Sequence, residues 1–171
     1  SPNMPSLDTA IVYPGTVLFE ATNISEGRGT TKPFELIGSP SLKLQSLSKY
    51  LAKLKLPGVL FRETAFEPTF HKFKEQLCYG VQLHVTDRRI FLPVLTGMAL
   101  IHGFQLYDPG FKWLAPPYEY EYEKMPIDIL AGSSSFRDAI DAGCDLRSLQ
   151  EVTLEKPAEA ISWENQIESL Y

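Results

Sequence analysis

Apolar residues recur along the chain with two different periods, and each change of period marks an element. Leu44, Leu47, Leu51 and Leu54 fall at i, i+3, i+7 and i+10 with lysines between them, which predicts an amphipathic helix that Pro57-Gly58 ends. Its leucines should face a sheet. From Tyr79 to Val85 the odd-numbered positions are apolar, while Gly80, Gln82, His84 and Thr86 are small or polar, the alternation of a half-buried strand with a polar face. Val59-Leu60-Phe61 and the stretch from Phe66 to Phe70 read as further strands. Pro93 suits the first turn of a helix carrying Val94, Leu95, Met98 and Ile101, with Gly103 at its end. Ser134 or Ser135 caps a short helix that Gly143 closes, and Pro157 opens a last one whose Ala160, Trp163, Ile167 and Leu170 share a face.

The first 40 residues are dense in prolines and glycines around short apolar pieces such as Val17-Leu18-Phe19, and they read as loop. No internal repeat, low-complexity tract or linker divides the chain. Strand and helix signals mix without a βαβ rhythm. The expected fold class is therefore α+β, a single compact domain over residues 1–171 with a mixed sheet and packed helices.

Composition narrows the functional classes. At 171 residues, 44% hydrophobic and 22% charged, the chain can bury a core and is neither disordered nor fibrous. A net charge of -5 has the wrong sign for tracking phosphate backbones, so nucleic acid is not an expected partner. No apolar run reaches the ~20 residues that span a bilayer. The chain begins at Ser1-Pro2-Asn3 rather than at an initiator, so it is expected to come from a longer protein. Cys78 and Cys144 lie far apart without CxxC spacing; they read as two ordinary thiols, with one disulfide as the alternative. Histidines at 71, 84 and 102 show no metal-ligand spacing, and neither metal nor cofactor is expected.

The candidate chemistry is concentrated between Glu20 and Thr31. Glu20, Asn23, Ser25, Glu26, Arg28, Thr30 and Thr31 gather two carboxylates, an amide, hydroxyls and a guanidinium beside Gly27 and Gly29. Glycines on both sides of Arg28 allow a sharp turn and a close approach to a ligand, and the guanidinium could fork onto a carboxylate. The plainer alternative is a polar turn with a solvated arginine. The segment lacks the Gly-Lys-Ser/Thr ending of a phosphate-binding loop. Glu20 and Glu26 could form the carboxylate pair of glycoside cleavage, or one of them could simply brace Arg28. Gln82 and His84, on one face of the Tyr79–Val85 strand, are expected in the same cavity. Tyr118, Tyr120 and Tyr122 alternate with glutamates; extended, they would form a stripe that either stacks on sugars or packs on the core.

Several of these stretches carry a family resemblance. Tyr13-Pro-Gly-Thr, Phe19-Glu20, Asn23, Ser25-Glu-Gly-Arg-Gly-Thr-Thr31 and Pro33-Phe-Glu-Leu-Ile-Gly38, with Phe66-Glu-Pro-Thr-Phe70, Gly80-Val-Gln-Leu-His-Val-Thr-Asp87 and Ile127-Asp-Ile-Leu130, resemble the NamZ-type exo-β-N-acetylmuramidases. Ser41 departs from the pattern, which often has a tryptophan there. The resemblance implies a bacterial enzyme of the cell envelope that releases N-acetylmuramic acid from non-reducing ends of peptidoglycan fragments. It further implies that this chain is the auxiliary C-terminal domain of a larger Rossmann-like enzyme, inactive alone, with muramyl saccharides as partners. On that basis Glu20 and Glu26 are the candidate acid and base. Arg28 would select the lactyl carboxylate, with Asn23, Ser25, Thr30, Thr31, Gln82 and His84 around the sugar. A reading from a different class is a non-catalytic carbohydrate-binding module for cell-wall glycans.

Overall fold

The computed structural model of the protein describes residues 3–148. Contacts group into a first unit, Ser1–Ser134, and a second, Ser135–Tyr171. The helix expected after Pro157 lies outside the described residues.

The N-terminal stretch expected as loop is helical instead. Ser6 is extended (φ -141°, ψ 163°) and its Oγ accepts the N–H of Thr9 at 3.1 Å, a side-chain cap that opens α1, Leu7–Thr16. Pro14 sits within this helix, after which the chain tightens into a 3₁₀ turn, Val17–Ala21. Gly15 is there because of a neighbour: a Cβ would overlap the carbonyl of Pro93 where α3, Pro93–Tyr107, crosses α1. Gly97 meets Gly15 from the other side.

α3 also runs through Gly103 rather than ending at it. A Cβ on Gly103 would stand 2.5 Å from Cδ1 of Leu47, so this glycine lets α2, Leu44–Leu54, press close. α2 buries Leu47 and Leu51 as expected, but against α3 as well as the sheet, and Leu44 and Leu54 are only half-buried.

The sheet has three strands in the order β1 (Leu36–Ser39), β3 (Cys78–Val85), β2 (Val59–Phe66), and it is antiparallel throughout rather than mixed. β2 is one strand through Phe66, and Phe70 lies beyond it in a loop. The register pairs Ile37 with Val81 and Leu36 with Gln82. Hence Ile37, Val81, Leu83 and Val59 share the face under the helices, all buried. The opposite face of β3 is not simply solvated. Leu36, Phe66 and Cys78 form a second apolar cluster there, covered by Phe73 from the 67–77 loop, and Gln82 is buried while accepting from Arg62.

α4, Pro126–Ala131, packs with α1 and α3 around the 3₁₀ turn, where Phe19 meets Phe104 edge-on at 5.6 Å. In the second unit, α5, Ser135–Asp141, ends as expected at Gly143 (φ 73°). The N–H groups of Gly143 and Cys144 return to Ile140 and Ala139, a Schellman closure. Both cysteines are free thiols. Among the described residues no helix is long and apolar enough to cross a membrane.

Because the α1–α3 crossing is made by backbone against backbone, Gly97→Ala should destabilise the protein at the upper end of the ~1–3 kcal/mol typical of overpacking. A urea midpoint within experimental error of wild type would contradict this account of the crossing.

Candidate functional site

Glu20 leaves the 3₁₀ turn directly after Phe19, whose buried ring fixes the backbone. From there three segments converge on it. The loop after the turn docks on β1, where Ser25 and Gly38 exchange two hydrogen bonds of 3.0 Å. Gly27 (φ 76°) and Gly29 (φ 83°) then turn the chain sharply around Arg28, as the sequence suggests. The close approach that Gly29 permits is not to a ligand, however. A Cβ there would stand 2.7 Å from the backbone of Phe70, and Thr69 donates its N–H to the Gly29 carbonyl at 2.9 Å. The 67–77 loop is thereby fastened to the Arg28 turn.

That loop is itself strained. His71 (φ 71°), Phe73 (φ 56°) and Glu75 (φ 58°) are non-glycine residues in left-handed backbone, a conformation costing about 1–2 kcal/mol per residue. The third segment is stitched to the turn by Asn23, whose amide donates to Gly110 O at 2.7 Å and whose Oδ1 accepts from Lys112 N at 2.8 Å. The backbone continues the pairing from Ala21 to Leu114, which brings Tyr118 within 2.9 Å of Glu20 Oε2.

At the centre lies Glu26, fully buried and ringed by cations. Lys72 Nζ is 2.8 Å from Oε2, while Arg28 Nε at 3.0 Å and His71 Nδ1 at 3.4 Å approach Oε1. Burial pushes this carboxyl upward, but the His71 ring nitrogen beside Oε1, the charge and donor of Lys72 and its own backbone N–H outweigh it, leaving the pKa lowered to about 2. Arg28 spends its Nη2 on Glu20 and rests over the Phe34 ring, 5.1 Å from the centroid. Glu20 therefore accepts from Arg28 on one oxygen and from Tyr118 on the other. Burial, then the Glu20 carboxylate, hold the Tyr118 phenol above its usual range, so it stays a donor.

Glu20, Asn23, Arg28, His71, Lys72, Phe73, Leu114 and Tyr118 line a hollow of about 600 Å³. Glu20, Asn23 and Arg28 are the sequence candidates it brings together. Glu26 lies beneath it, closed to solvent, and does not face Glu20 across a space that a glycosidic bond could enter. Ser25 and Thr30 are turn builders: Ser25 Oγ accepts from Gly27 N at 3.2 Å, and Thr30 Oγ1 donates to Gly27 O at 2.6 Å. Thr31 is exposed and lies outside the lining. Gln82 and His84 border a different, smaller hollow of about 170 Å³ with Lys32 and Glu35, because β3 points them to the far side of the Arg28 loop.

The tyrosine stripe does not form either. Tyr118 and Glu121 pair backbone to backbone in a tight turn, so only Tyr118 reaches the site, while Tyr120 and Tyr122 are 93% and 73% exposed. His71, Lys72, Phe73 and Leu114 are not among the site candidates read from sequence, and Tyr118 enters that reading only through its alternation with glutamate. Among the described residues no cluster of histidine, cysteine and acidic side chains could hold a metal.

This build, a small α+β domain with an antiparallel sheet, matches two solved DUF1343 family proteins from Bacteroides fragilis NCTC 9343. One has a TM-score of 0.66 at 22% identity, covering 91% of this chain and 44% of that one. The other has a TM-score of 0.64 at 22% identity, covering 99% and 42%. The profile described as "Exo-beta-N-acetylmuramidase NamZ, C-terminal" matches residues 11–170, and the chain belongs to that family. It is 47% identical over 150 residues to the peptidoglycan beta-N-acetylmuramidase NamZ of Bacillus subtilis (strain 168), covering 87% of this chain and 34% of that protein. It thus spans about a third of the length of that curated relative.

The lowered pKa of Glu26 has a sign that can be tested. Stability contributed by its charged form is fully present above the ordinary value of 4.5 and is lost as pH falls toward about 2. Glu26→Gln should cost about 3–5 kcal/mol at pH 7, the penalty for leaving buried cations unpaired, and should flatten the loss of stability between pH 4.5 and 2. Urea unfolding at both ends of that window checks it; a variant with an unchanged acid limb would show that Glu26 is not its source.

Proposed function

We propose that this chain is the C-terminal part of an exo-β-N-acetylmuramidase that removes N-acetylmuramic acid from the non-reducing ends of peptidoglycan fragments. In this reading it belongs to a larger, Rossmann-like polypeptide of the bacterial cell envelope, whose upstream part completes the cleft. The observation that carries the proposal is Glu20, a carboxylate fixed at the edge of an open hollow in a chain of this family. Both of its oxygens accept hydrogen bonds, so it offers the hollow lone pairs. It would act as general base, or as stabiliser of the positive charge that develops on the sugar ring. Phe73 and Leu114 supply apolar wall for the faces of a sugar. The second carboxylate of the reaction would come from the upstream part, since Glu26 is sealed beneath the floor.

Arg28 takes a different part in this mechanism from direct selection of the lactyl carboxylate. With Nη2 on Glu20 and Nε toward Glu26, it orients the carboxylate that acts.

In the full-length polypeptide, Glu20→Gln should lower kcat on a chromogenic muramide by about 10²–10⁴-fold with little change in fold, the range for a group active in proton transfer. Binding of muramyl saccharides by a wild type that never turns them over would instead favour a carbohydrate-binding module. Arg28→Ala should lower turnover of muramic and glucosamine substrates alike and cost about 1.5–3 kcal/mol of stability. Loss confined to the muramic substrate would return the selecting role to Arg28.

A further inference from the structure

The cations around the hollow differ in what they have left to give. Lys72 has three donors and three acceptors: Phe19 O at 2.8 Å, Ile24 O at 3.2 Å and Glu26 Oε2 at 2.8 Å. Its side chain is 13% exposed. Arg28 is turned toward Glu20 and Glu26, and the formal charges of these four residues cancel. His71 is the exception, 47% exposed in its side chain and lining the hollow, with Nδ1 facing the buried Glu26 carboxylate at 3.4 Å. With its Nδ1 side turned to Glu26, the ring leaves its remaining edge for a ligand in the hollow.

We propose that His71 is the residue that reads the acidic arm of the sugar, binding its carboxylate in the hollow with Glu26 behind the ring. The inference rests on the muramidase reading, since it needs a substrate that carries a carboxylate.

The backbone supports it independently. His71 opens the run of three left-handed non-glycine residues, and strain of this kind persists where the surrounding structure over-determines a functional placement. Here Gly29 fastens the loop from one side while Lys72, the next residue, is bolted to the floor.

The test uses the full-length polypeptide and two muramides, one with a free lactyl carboxylate and one with that group as its amide. Wild type should prefer the acid over the amide by roughly tenfold or more. In His71→Asn, chosen because asparagine tolerates left-handed backbone, the two kcat/KM values should come together. His71→Lys, which keeps a cationic donor there, should keep the preference. An Asn variant that retains the wild-type preference overturns the assignment to His71 while leaving the muramidase reading intact. A wild type that turns over neither compound overturns that reading, and this inference with it.

Discussion

An ionised carboxylate taken fully out of water loses several kcal/mol of solvation unless cations and N–H groups replace it. Glu26 is in that position, and much of the site can be read as the set of replacements it requires. Lys72 comes from the loop after β2, 46 residues along the chain, and Arg28 from the turn two residues on. Each cation also has a second duty. Lys72 binds the carbonyls of Phe19 and Ile24, closing the 3₁₀ turn, and Arg28 reaches outward to Glu20. A carboxylate closed to solvent therefore determines where the exposed one stands.

The resulting chain alternates in charge, from Lys72 through Glu26, Arg28 and Glu20 to the phenol of Tyr118, and it joins three separate stretches of sequence. Such a chain is cooperative because removing one member strands the next in a poorly solvated place. Its foundation is equally rigid, with the 3₁₀ turn wedged among α1, α3 and α4 and Phe19 locked on Phe104. Glu20 is held before any ligand arrives, the condition under which electrostatic groups act without reorganising.

What could be read from sequence divides along the range of the forces involved. Leu47 and Leu51, Val81 and Leu83, and the glycines around Arg28 obey local rules of periodicity and backbone freedom, and the structure places them as those rules require. Gly15 and Gly103 read as punctuation but, with Gly97, serve helix crossings, a long-range demand that no local pattern encodes. β1 has four residues, too few to display an alternation. The site fared similarly. Glu20, Asn23 and Arg28 sit close together in sequence and share the hollow, whereas Lys72 and Tyr118 reach it through contacts spanning 46 and 98 residues. Gln82 and His84 were grouped with Arg28 because strand parity gives a face without saying which cavity that face borders.

Arg28 shows most sharply what composition leaves open. A guanidinium between two glycines, in a loop with two glutamates, has the chemistry to grip a carboxylate, and it does grip carboxylates, but those of its own chain. Charge-assisted pairing is strongest where water is scarce, so an arginine beside a buried glutamate is drawn into pairs within the fold. The side chains left for a ligand are those the fold satisfies only halfway. Glu20, with lone pairs beyond its two donors, and His71, half-exposed with Nδ1 3.4 Å from Glu26 and its ring lining the hollow, meet that criterion. Partial satisfaction, rather than charge alone, separates the residues that face chemistry from those that support it.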